Sequence, residues 1–157
     1  MRASGAKVEL ALNREGVYYR AKSPSAGLQA PGRILWYVSY GGRFSGTGHL
    51  RACSRLDEVI IDKPKSLYRQ FRRLGVYEWS HVFEVAKRNI ENEIMALRFS
   101  DTELFRAPIE WHELQQILRT HGCKSQLQSP VRISPELFAK LYTLGTQIQI
   151  EEGSDAK

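Results

Sequence analysis

The chain has 157 residues, 42% of them hydrophobic, and a formal net charge of +6. That length suits one domain with a real core, burying roughly two-thirds of its unfolded surface. Two features are excluded: a bilayer-spanning helix, because no apolar run approaches the ~20 residues required, and a disulfide scaffold, because Cys53 and Cys123 are the only cysteines. The opening MRASGAKVEL lacks the apolar core of a signal peptide. A soluble protein of a reducing, cytoplasmic compartment is expected, with no cofactor and no membrane partner.

Residues 7–12 alternate, with Val8, Leu10 and Leu12 on one face, as a half-buried strand does. A turn over 13–16 lets residues 17–20 pair back as a hairpin. Residues 1–22 therefore read as an N-terminal arm or outer hairpin, and the Pro-, Gly- and Ser-rich stretch 23–32 as a flexible loop. Residues 34–38 are continuously apolar, which suggests a central strand. A glycine-punctuated turn follows, then strands over 48–53 and 56–61.

Pro64 suits the first turn of a helix and Gly75 its stop. Within it Leu67, Phe71 and Leu74 make the buried stripe, and Lys65, Arg69 and Arg72 fall on roughly the opposite face. Residues 79–86 and 94–99 read as two further strands around a polar turn. A helix is expected over 108–120 with Trp111, Leu114 and Leu118 inward. The last helix is capped by Ser134, opens on Pro135, buries Phe138, Leu141 and Tyr142 and stops at Gly145; residues 149–157 form a frayed tail. About six mostly antiparallel strands and three short helices make an α+β domain, a partly open β-barrel.

Two constellations carry chemistry. A base pocket needs a flat ring to stack on and directional hydrogen-bond groups for the base edge. Tyr37, Ser39, Tyr40 and Thr47 supply those types in one place, although Tyr37 as core and Ser39 as a strand end is the plainer reading. Phosphate contact falls to Lys63, Lys65, Arg69, Arg72 and Arg73, a run with no acid between them, with Tyr68 alongside. A solvated helix face is the alternative. Arg98, Ser100, Asp101 and Thr102 line a pocket mouth or, more simply, make a turn. His49 lacks an evident partner for acid–base work. His49, His81, His112, His121, Cys53 and Cys123 lack the spacing of a metal site, so none is expected.

ILWYVS, the glycine turn and GTGHLRA together resemble the strand pair of the EVE family in the PUA-like superfamily. Trp79 opening WSHVFEV, then FRAPIEWHELQQI and SPVRISPELFAKL, resemble that family's later segments, so the likeness covers about residues 33–145 and sets a PUA-like domain over 33–148. The related ASCH family has a signature of glycine, lysine, glutamate and arginine that is not found here. The basic helix over 64–74 looks like an insertion relative to the shortest members. The resemblance implies a pseudo-barrel that binds RNA or DNA, often through a pocket for a flipped or modified base. It matches Tyr37 and Ser39 to the strand-end aromatic and serine, and adds Trp79 to the base pocket.

The expected function is a non-catalytic nucleic-acid-binding module, RNA favoured over DNA. One alternative is a nucleoside or RNA-processing hydrolase using the same cavity. Some ASCH-type relatives resemble amidohydrolases that use a lysine, a threonine and a glutamate, and Thr47 is present. No nucleophile elbow, phosphate loop or paired-carboxylate motif appears. A third reading is a regulatory domain partnered to an acetyltransferase-like protein. Arg69 and Arg72 tied to carboxylates would favour that third reading.

Overall fold

A computed structural model describes residues 15–23, 27–39, 48–74, 77–123, 127 and 130–147. Among them are strands β1 (Gly16–Ala21), β2 (Gly32–Val38), β3 (His49–Asp62) and β4 (Ile94–Glu110). The helices are α1 (Pro64–Phe71), α2 (Trp79–Val85), α3 (Trp111–Thr120) and α4 (Pro135–Thr146). The strands form one antiparallel sheet in the order β1-β4-β3-β2, whose two edges do not pair with each other among the described residues. The α+β class and antiparallel pairing are as expected. The six strands and three helices are corrected to four and four among the described residues. The strand read over 7–12 lies outside them. No helix among the described residues is long and apolar enough to cross a membrane.

The expected strands over 48–53 and 56–61 are one strand, β3, of 14 residues. The strand expected over 94–99 continues as β4 for 17 residues, straight through RFSDTELF. The turn expected at Ser100–Asp101 is instead a kink inside a strand, with Asp101 at φ +51°. β1 pairs β4 only over Ile94–Phe99, so at Pro108 one side of β4 is unpaired among the described residues and a proline is tolerated. That is why α3 starts at Trp111 rather than Pro108.

Two clusters of buried side chains form the interior. One gathers Val17, Trp36, Leu56, Leu67, Val82 and Phe99; the other gathers Tyr37, Leu50, Phe105, Trp111, Leu114 and Leu141. β2 alternates between them: Ile34 and Trp36 join the first, Tyr37 the second with Leu35 packed on it. This explains its unbroken apolar run. It is an edge strand of the described sheet rather than the central one expected, and it is apolar because both faces are covered.

WSHVFEV is a helix, not a strand. Glu78 and His81 exchange capping bonds, with the His81 Nδ1 accepting from the Glu78 N–H at 3.3 Å. Trp79, Val82, Phe83 and Ala86 also satisfy the helical period, and such short apolar segments fit either pattern. Ser134 caps α4 as expected, accepting from Leu137 N at 3.1 Å. The helix runs past Gly145 to Thr146 because that glycine is a packing residue. A Cβ there would collide with the Phe105 ring.

Gly145→Ala should therefore destabilise the protein despite alanine's helix-propensity advantage of up to about 1 kcal/mol. Overpacking costs about 1–3 kcal/mol, so the net loss should be about 1 kcal/mol. The readout is a lower urea midpoint at unchanged slope; an unchanged or raised midpoint contradicts the packing role.

Candidate functional site

Helix α1 buries Leu67 and Phe71 and turns Lys65, Arg69, Arg72 and Arg73 outward, all exposed. Among the described residues none of these four makes an ion pair. Lys63 differs. Its ammonium sits 2.8 Å from the Glu91 carboxylate. The hydrogen bond to Lys63, then its charge, holds the Glu91 carboxyl below its ordinary value, and the same contact raises Lys63. The five-residue row read from the sequence thus contains four unpaired cations and one engaged by an acid.

α2 brings aromatic rings beside that row. The Trp79 ring lies 5.6 Å from Tyr68 of α1 and stacks on Phe83 at 5.8 Å and 21°. All three rings are half-buried. Trp79 was expected to share a pocket with Tyr37, but it meets the basic helix instead.

Tyr37 is inside the second core, 1% exposed, with its ring 5.6 Å from Trp111. Gly48 lies against the Tyr37 ring, where a Cβ would collide, and its carbonyl accepts from Trp111 N at 3.1 Å. Tyr37 therefore cannot floor an open base pocket: this expectation is corrected, and the plainer core reading holds. Ser39 is half-buried just beyond β2. Tyr40 and Thr47 lie outside the described residues.

A cavity of about 450 Å³ does exist, elsewhere. It is walled by β2, β3, α3, α4, Leu127 and the segments 27–31 and 130–135, and none of its described lining residues lies on α1. The cation row is therefore not part of the described cavity wall. Arg33 lies in the cavity wall. Its guanidinium carbon sits 5.8 Å from the Phe138 ring centroid and 5.9 Å from that of Tyr142. One of its N–H groups donates to Cys53 Sγ at 3.1 Å, and the Tyr142 hydroxyl donates to Glu103 at 2.7 Å. Sequence reasoning passed over Arg33. The available signal was a cation in step with Leu35 on an otherwise apolar strand, opposite an α4 face carrying two aromatics four residues apart.

The remaining candidates hold structure. Arg98 pairs with Glu58 at 2.7 Å and Glu15 at 3.8 Å. Thr102 bonds Ser54 at 2.6 Å, and Ser54 accepts from the Trp36 indole at 2.8 Å, satisfying a polar group fully inside the sheet. None of RFSDTELF lines the cavity. His81 caps α2, and His121 contacts the Ile117 carbonyl at 2.9 Å. His49 is half-buried on β3, and His112 is exposed on α3. Among the described residues no three of His, Cys, Asp and Glu converge.

No protein-family profile and no curated protein matches the chain. Among solved structures the fold is similar to ASCH from Zymomonas mobilis, at TM-score 0.68 and 17% identity over 88% of this chain and 87% of that one. A serine-to-alanine variant of the same protein gives 0.67, covering 86% of each chain. A tyrosine-to-phenylalanine variant gives 0.65, covering 86% of this chain and 88% of that one. The chain thus shares the fold of that ASCH protein. These structures carry the ASCH name, the family that the sequence reading gave as related to the EVE family.

Burial pushes the Cys53 thiol up, and the Arg33 guanidinium only partly offsets this. Cys123 is half-buried. A thiol reagent should therefore modify Cys123 in the native protein and reach Cys53 only on unfolding. Rapid native modification of both would contradict the packing around Arg33 and Cys53.

Proposed function

We propose that this chain is a single-stranded nucleic-acid-binding module, RNA favoured, that holds the strand across α1 and α2. The observation that carries the proposal is the juxtaposition on α1–α2: four cations without an ion pair among the described residues, Lys65, Arg69, Arg72 and Arg73, beside the Tyr68–Trp79–Phe83 rings. Proteins that bind single strands combine a cationic track for the backbone with rings on which bases stack. Exposed guanidinium groups with no acid nearby keep their N–H donors for phosphate.

The PUA-like fold supports this reading. Arg69 and Arg72 are not tied to carboxylates among the described residues, the feature that would favour a protein-partnering domain. The described lining of the cavity includes no His, Asp, Glu or Lys, so no residue there favours hydrolysis.

Affinity for a labelled single-stranded RNA, followed by anisotropy, should fall steeply with salt, with a log–log slope of about −0.7 per phosphate contacted. The pair Arg69→Ala and Arg72→Ala should flatten that slope. Glu91→Gln releases Lys63 beside the row and should steepen it by about 0.7. Trp79→Leu should weaken binding by about 1–3 kcal/mol with the slope kept, circular dichroism confirming the fold. Binding that ignores salt, or a slope that none of these charge changes moves, would refute the interface.

A further inference from the structure

The cavity beside Arg33 is not part of the proposed strand path, since none of its described lining residues lies on α1 or α2. A hollow of about 450 Å³ falls in the size class of small-molecule sites, not of ordinary packing defects. Its walls are aliphatic, with Ile34, Leu35, Leu118, Ile133 and Leu141 representative. Only three polar side chains reach it, Gln29, Arg33 and Arg132, and no acid does among the described lining residues. A nucleobase edge needs several directional partners, and Gln29 is the one neutral polar side chain here. An apolar body with a negative head matches every part of the lining.

Arg33 is prepared for such a head. The residue is exposed, and its guanidinium lies over two rings, Phe138 and Tyr142, whose planes are parallel within 15°. Tyr142 is itself tethered by Glu103, and one Arg33 donor is spent on Cys53. A guanidinium has five donors in a rigid fork, so the others remain in a geometry suited to a carboxylate. Arg132, exposed and without an ion pair among the described residues, supplies a second cation from the 130–135 segment.

We propose that the cavity between β2, α3 and α4 binds an amphipathic carboxylate, its apolar body against the aliphatic walls and its head on Arg33 and Arg132. The body is an aliphatic chain or an aromatic ring system, and the test separates the two. This site is independent of the α1–α2 interface.

Calorimetry on the full chain with decanoate, naphthoate, decanol, decylamine and adenosine monophosphate decides it. Decanoate or naphthoate should bind one to one, and whichever binds tighter names the body. Decanol should bind roughly ten- to hundredfold weaker, the loss of a charged hydrogen-bonding head, and decylamine weaker still. Arg33→Gln and Arg132→Gln should each shrink the gap between decanoate and decanol while leaving the salt slope for RNA unchanged. Ile133→Trp, which fills the hollow, should abolish binding of both, with circular dichroism confirming the fold. The proposal is overturned if neither carboxylate binds at millimolar concentration. It is equally overturned if decanol matches decanoate, or if adenosine monophosphate binds the cavity and displaces the carboxylate.

Discussion

β3 and β4 pair from Asp62 and Ile94 at one end to His49 and Glu110 at the other, and three register shifts along that ladder turn it from one core to the other. On a regular strand Leu50 and Ala52 would share a face. With a shift between them, Leu50 enters the second core and Ala52 the first. Each bulge adds local twist and re-aims the side chains beyond it. The position of both helix pairs follows, because α1 and α2 seat on the first core while α3 and α4 seat on the second. Removing the shifts would exchange the side chains beyond them between the two cores, since a one-residue slip swaps the faces of any strand.

Much of the architecture was legible in local chemistry. Pro64 and Ser134 start helices for reasons that act within a few residues, and the stripe of Leu67 and Phe71 fixes α1's orientation. The errors share a cause, which is that tertiary contact decided the outcome. Gly145 reads as a helix stop until Phe105 arrives against it. Residues 34–38 read as a central strand because apolar runs report covered faces, and helices on both sides cover an edge strand equally well. The 100–107 segment looks like a turn, yet the β3 ladder holds it extended.

The candidate site was legible by residue type and not by placement. Tyr37 and Trp79 are both aromatics near strand-like segments, but one is sealed behind Gly48 and Trp111 while the other stands against Tyr68. Nothing in their neighbours along the chain separates the two. The basic row was visible because charge along a helix is a local property. That Lys63 is engaged by Glu91, 28 positions away, depends on where the 87–93 turn folds back. An isolated cation and a paired one have the same letter in the sequence, but only the isolated one keeps its donors for another molecule.

The two groups of arginines differ in a way that bears on what each can recognise. Arg69 and Arg72 stand on an exposed helix face with their side-chain rotamers free, so each contact with a ligand must overcome up to about 2 kcal/mol of lost side-chain freedom. Such groups follow a flexible polyanion and release its counterions, and they discriminate poorly between one anion and another. Arg33, also exposed, differs in being engaged by Phe138, Tyr142 and Cys53, contacts that restrict its side chain. A restricted guanidinium aims its remaining donors in set directions and rejects a head group of the wrong shape. A +6 chain thus carries cations both on an exposed helix face and in a cavity wall. Arg69 and Arg72 stand on α1 and at its C-terminal cap, seated on the first core, whereas Arg33 stands on β2 and Arg132 on the 130–135 segment, so the two sets of contacts can be altered one at a time.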